Sequence, residues 1–208
     1  MRKLQLFTFV LCLICLSSSV LAEEHTTTGQ LMIAVGRDIG DAELSKSAHL
    51  SCYVHGTALM DFGTMTPMLF TYVGPKLSLP KTTLWLLGGT FMSPDGGTSA
   101  LASVWMEQTL GLDELLFFLE GDVYFPLSTE GDGEHTFRQY YILSTLMYNF
   151  EKWGVGLFTE HFLSEDDWFE AAFGGGISAG SAMFWLGYDI SPADKETNMF
   201  LFRLQLNL

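Results

Sequence analysis

The last eleven residues of the chain, Asn198 to Leu208, alternate strictly. Phe200, Phe202, Leu204, Leu206 and Leu208 fall on one parity, and Met199, Leu201, Arg203, Gln205 and Asn207 on the other. Successive side chains of a β-strand point to opposite faces, so this segment has one wholly apolar face and one mostly polar face. An apolar face of this length must be kept from water.

Composition narrows what can cover it. Hydrophobic residues make up 48% of the 208 and charged residues only 16%. After residue 22, however, no run is long and apolar enough for a membrane-spanning helix, which needs about 20 residues. That leaves an all-β chain, either with a soluble core or closed as a transmembrane barrel. Ten segments have strand character between turn signals: Ala48–Asp61, Met65–Ser78, Thr82–Met92, Thr98–Gln108, Asp113–Phe125, His135–Tyr148, Lys152–Phe162, Trp168–Ile177, Ala182–Ile190 and Asn198–Leu208. Most match the roughly 9 to 11 residues that a tilted strand needs to cross a bilayer, and exceed the usual soluble strand of about 5 to 6.

The closing strand, the strand lengths and the connections together resemble the small bacterial outer-membrane β-barrel proteins, although many of those end in Phe or Trp where this chain has Leu208. The resemblance implies a closed antiparallel up-and-down barrel of about ten strands, with eight or twelve as the neighbouring alternatives. It also implies contact with outer-membrane lipid and with the barrel assembly machinery, which would engage Phe200, Phe202, Leu204, Leu206 and Leu208. With the C-terminus in the periplasm, Gly180 and Asn149–Glu151 are periplasmic turns, and Ser191–Thr197, Ser164–Asp167 and Pro126–Glu134 are outer loops. The short Phe62–Thr64 connection also falls outside. An even strand number would put both termini on the periplasmic side.

The N-terminus fits export. Arg2 and Lys3 precede an apolar run from Leu6 to Leu16 and the small-residue site Val20, Leu21, Ala22, so residues 1–22 are expected to be a cleaved secretory signal. Its removal leaves 8 basic residues (10 less Arg2 and Lys3) against 24 acidic ones, a formal charge of −16. A chain so acidic lacks the basic footprint that nucleic acid requires. Of the three cysteines only Cys52 survives, so no intramolecular disulfide is expected. Residues 23–47 form an N-terminal periplasmic arm or a segment packed into the barrel mouth, because counting Leu31, Ile33 and Val35 as a strand would give eleven. Residues 48–208 are the barrel domain.

Strand parity assigns the faces. Leu50, Cys52, Val54, Gly56, Ala58 and Met60 share the outward side of their strand, as do Leu115, Phe117, Leu119, Val123 and Phe125 of theirs. A Lys or Arg at a lipid-facing midplane costs about 2–4 kcal/mol, and a carboxylate somewhat less, so the charged parity is expected in the lumen. The lumen charge network is read as Glu107, Glu114, Glu120, Asp122, Arg138, Glu160, Glu170 and Arg203, with Lys76 and Lys152 beside it. Arg138 is the first expected partner of Glu120 or Asp122, and Arg203 is expected to meet an acid such as Asp61. Such a network either fills and braces the interior or lines a narrow channel. Trp85, Trp153, Trp168, Phe169, Tyr188 and Phe91 lie near segment ends and are read as interfacial rings.

Chemistry beyond that is sparse. The outer loops are acidic, and Asp132, Glu134, Asp166 and Asp167 are the candidate ligands for divalent cations, although their spacing matches no known calcium loop. His161 and Ser164 are three apart and so turn to opposite faces of a strand, which argues against a nucleophile–base pair; His49 and Ser51 have the two-residue spacing without the surrounding motif of the barrel lipases. Asp166 and Asp167 also resemble the paired aspartates of outer-membrane proteases, on a much shorter loop. Gly174–Gly176 is no phosphate loop and is read as a bend or as room for a bulky lumen residue. No cofactor is expected. The leading function is a non-enzymatic outer-membrane barrel, structural or forming a narrow pore. The alternatives are a secreted lipocalin-like barrel holding an apolar ligand, and a lipid-modifying barrel enzyme.

Overall fold

Period-two alternation of apolar and polar residues produces eleven strands: β1 (Thr26–Ser45), β2 (Ala48–Asp61), β3 (Thr66–Ser78), β4 (Thr82–Ser93), β5 (Gly97–Thr109), β6 (Leu115–Pro126), β7 (Gln139–Phe150), β8 (Trp153–Ser164), β9 (Phe169–Ala179), β10 (Ala182–Ile190) and β11 (Met199–Asn207). The computed structural model describes residues 26–62, 65–94, 97–111, 113–127, 139–150, 153–164, 169–190 and 199–208. Each strand pairs with its sequence neighbours in antiparallel register, and β11 closes on β1 to complete the barrel. Residues 1–25, which include the expected signal, lie outside the described residues.

The ten expected strands stand within a few residues of where alternation puts them. The barrel nevertheless has eleven, because Thr26–Ser45 is a strand of the wall and not an arm or a lumen segment. Leu31, Ile33 and Val35 supply its outward face, and Gln30, Met32 and Ala34 line the lumen cavity. The parity objection is met by a parallel seam: Thr26 to Ala34 pairs in parallel with Met199 to Asn207. An odd barrel with one parallel pair has its two ends at opposite rims, so β1 begins at the rim where β11 begins. The expectation that both termini share one side is thereby corrected.

Beyond the bond from the Leu208 amide to the Ala34 carbonyl (2.8 Å), β1 runs on to Ser45 paired with β2 alone. Its register slips between Ile39 and Ala42, where Gly40 takes a φ of 70° that a side chain would resist. At the other turns of this rim, Gly180 (φ 61°) lets β9 fold back tightly onto β10. Connections at this rim are short and those at the opposite rim include the two longest, residues 127–138 and 191–198.

Burial is inverted relative to a soluble barrel. Leu86 and Val104 are 60% and 55% exposed, and Val54, Val73, Leu157 and Phe202 share their outward side. Asp122, Glu160 and Arg203 are 2%, 4% and 8% exposed. Strands of 12 residues at a rise of about 3.3 Å and a tilt of about 40° give a wall about 30 Å high, the thickness of a hydrocarbon core.

Two apolar clusters fill much of the interior. Tyr72, Trp85, Leu87, Leu101, Trp105 and Tyr124 pack on the β3–β6 side, and Met147, Phe158, Ala172, Trp185 and Leu201 on the β7–β11 side. Trp85 and Phe91 therefore point inward and are not interfacial rings, because they share the parity of Leu87; Trp153 is exposed at the short-turn rim. Trp168 lies outside the described residues. Gly174 and Gly176 sit under Phe158 and Trp185, where a Cβ would collide with those rings and with the β10 backbone. Gly176→Val should therefore cost about 1–3 kcal/mol through overpacking, read as a lower urea midpoint of tryptophan fluorescence.

Candidate functional site

The lumen holds a cavity of about 690 Å³. Eight strands make a barrel that side chains just fill, so three more strands leave space even with two aromatic clusters inside. Five carboxyl side chains line this cavity (Asp61, Glu107, Glu120, Asp122 and Glu160), against one guanidinium, Arg203, among the described residues.

Arg203 and Glu160 form its centre. Arg203 grips Glu160 in a two-pronged ion pair, with Nη1 donating to Oε1 and Nη2 to Oε2 at 3.0 Å. Its Nε donates to Gln30 Oε1 at 2.8 Å, and Gln30 Nε2 donates to Asp61 Oδ2 at 3.2 Å. This chain of contacts runs along the lumen side from β8 to β11, β1 and β2, tying the parallel seam to a strand three places away. The planar fork suits this role because it satisfies both carboxylate oxygens and keeps a third donor for Gln30.

A second polar group lies on β6. Asp122 accepts from Tyr72 Oη at 3.0 Å and from Trp105 Nε1 at 3.5 Å. Glu120 shares the face of Asp122 two residues away, and both line the cavity. Asp122→Ala would leave the Tyr72 and Trp105 donors buried without an acceptor. The expected cost is about 1–3 kcal/mol per orphaned group, read as a lower unfolding temperature; Asp122→Asn should cost less.

The expected network is thus only partly assembled among the described residues. Glu107, Glu120, Asp122, Glu160 and Arg203 face the cavity. Glu114 does not, because β6 begins at Leu115 and leaves it exposed in the preceding turn. Arg138 lies outside the described residues, and Glu170 is described only by its place in β9. Arg203 meets Glu160 and not Asp61 directly, because β1 is interposed between β11 and β2 and Gln30 bridges the gap. Lys76 pairs with Asp38 on β1 at 2.7 Å. Sequence reasoning missed Gln30 and Asp38 with the strand that carries them, and missed Tyr72, whose parity with Lys76 on β3 was the available signal.

The other chemical candidates are not gathered into a site. Asp132, Glu134, Asp166 and Asp167 lie outside the described residues, and among the described residues no cluster of metal-ligating side chains occurs. His49 pairs with Asp41 at 3.3 Å, while Ser51 donates to Asp38 at 3.2 Å and not to His49. Cys52 is a free, exposed thiol. No family model, no curated protein and no solved structure matches this chain. Fold and interior define a class: a closed eleven-strand β-barrel with an apolar outside and an acidic, aromatic lumen.

Proposed function

We propose that this chain is a bacterial outer-membrane β-barrel protein, non-enzymatic, with a lumen braced by the Arg203–Glu160 pair and open to no more than a narrow, cation-preferring pore. The inverted burial carries the reading: outward apolar side chains cover the wall while ionised groups are buried inside it. Such an exterior is costly in water and favourable in lipid. Wall height, short turns at one rim, longer connections at the other and an N-terminal export signal support the same reading. The acidic segments, with Asp132, Glu134, Asp166 and Asp167, belong to connections at the long-loop rim and would face outward, where divalent cations are the partners they suit.

A lipocalin-like soluble barrel needs a polar exterior, and Leu86, Val104 and Leu157 argue against it. The His49–Ser51 pair that a lipid-modifying barrel enzyme would use is not formed, because Ser51 donates to Asp38. Cell fractionation tests the proposal: the protein should remain in the membrane after a urea wash and migrate faster on gels when unheated. Recovery as a soluble periplasmic protein would contradict it. In planar bilayers the surplus of lumen carboxylates should give a small conductance with cations carrying most of the current, and a wide anion-selective pore would rule out the braced lumen.

A further inference from the structure

At the short-turn end of the lumen one carboxylate stands apart from the network. Glu107 on β5 faces the cavity, half-buried, and among the described residues it has no hydrogen bond and no ion-pair partner. Aromatic residues neighbour it in the sheet. Trp105 precedes it by two residues on the same face, Phe118 lies directly across the β5–β6 pair, and Trp85 lies directly across from Trp105. The Tyr53 ring stands 6.0 Å from that of Trp85 and 6.3 Å from that of Trp105.

These ring faces already hold a cation. The Lys76 ammonium lies 5.5 Å from the Tyr53 ring and 5.6 Å from the Trp85 ring, held from the rim by Asp38. Its charge is felt at Glu107, with which it makes no ion pair. We propose that this end of the lumen binds a small organic cation of the quaternary or alkylated ammonium class, its charge against Glu107 and its methyl groups on the faces of Tyr53, Trp85 and Trp105. Ring quadrupoles attract a large, weakly hydrated cation. A hard metal ion would need six or more oxygen ligands where this place offers one carboxylate. A neutral apolar ligand would bury Glu107 without an opposite charge. The site rests on the reading of a cation-preferring lumen, and it makes no demand on where the barrel resides.

The test uses the full-length barrel folded in detergent, with tryptophan fluorescence followed during titration with choline chloride. The controls are sodium chloride and 3,3-dimethylbutan-1-ol, which has carbon in place of the charged nitrogen. Choline should change the signal saturably, with the neutral analogue at least ten-fold weaker and Glu107→Gln weakening choline at least ten-fold. Equal responses to choline and the alcohol, no saturation, or an unchanged Glu107→Gln affinity would each overturn the site. If Glu107→Gln fails to reach the heat-modifiable folded form, Lys76→Met decides: freeing the ring faces should tighten choline several-fold, and unchanged or weaker binding refutes the proposal. Loss of conductance in bilayers with choline binding intact would refute the pore and leave the site standing.

Discussion

Arg203→Ala is expected to be the most damaging single substitution in the lumen. Glu160 is almost fully buried, and Arg203 is its ion-pair partner on both oxygens. Removing one member of a buried pair leaves an uncompensated charge and costs about 3–5 kcal/mol, a large part of the roughly 5–15 kcal/mol by which a folded domain is stable. Gln30 would also lose the donor that its carbonyl accepts, loosening the link to Asp61 across the parallel seam. The compact form should therefore unfold at a much lower temperature or fail to accumulate. Replacing both members by apolar residues of similar volume, Arg203→Met with Glu160→Leu, should recover most of the loss, because no charge is then stranded. If the double variant is as unstable as the single one, the ion pair is not what the lumen lacks.

The second large effect separates lipid from water on the outside. Val104 is near the middle of β5, 55% exposed and outward. In a bilayer, Val104→Arg places a guanidinium near the midplane at a cost of about 2–4 kcal/mol. For a barrel surrounded by water the same substitution at an exposed site should stay within about 0.5 kcal/mol. Leu157→Arg on β8 repeats the test on another part of the wall. Both variants should fold poorly into vesicles, while Lys or Arg at Cys52, nearer the short-turn rim, should be tolerated.

Ten strands were legible in the sequence because one face of each had to be apolar throughout, and a one-residue slip would turn every side chain around. The eleventh was hidden for two reasons. Gly29, Gly36 and Gly40 interrupt β1, and Arg37 puts a charge on its apolar parity where the strand runs past β11 with a neighbour on one side only. The assumption of even parity then favoured an arm. In β4 both faces are apolar, Leu84 and Leu86 outside and Trp85 and Leu87 inside, so periodicity could not turn Trp85 inward. Parity did put Glu120, Asp122, Glu160 and Arg203 on the lumen side. It could not pair them, since Glu160 and Arg203 are 43 residues apart and meet only through the curvature of the wall from β8 to β11.

Collision accessibility of nitroxide labels decides whether the outward face meets lipid. Cysteines at Val104 and Leu157, in a Cys52→Ser background, would be spin-labelled and the protein folded into liposomes. Both labels should collide freely with oxygen, which concentrates in hydrocarbon, and barely with a water-soluble nickel chelate. Nickel-chelate collisions as frequent as those of a fully hydrated label would show the face to be wet and the barrel not to span the membrane.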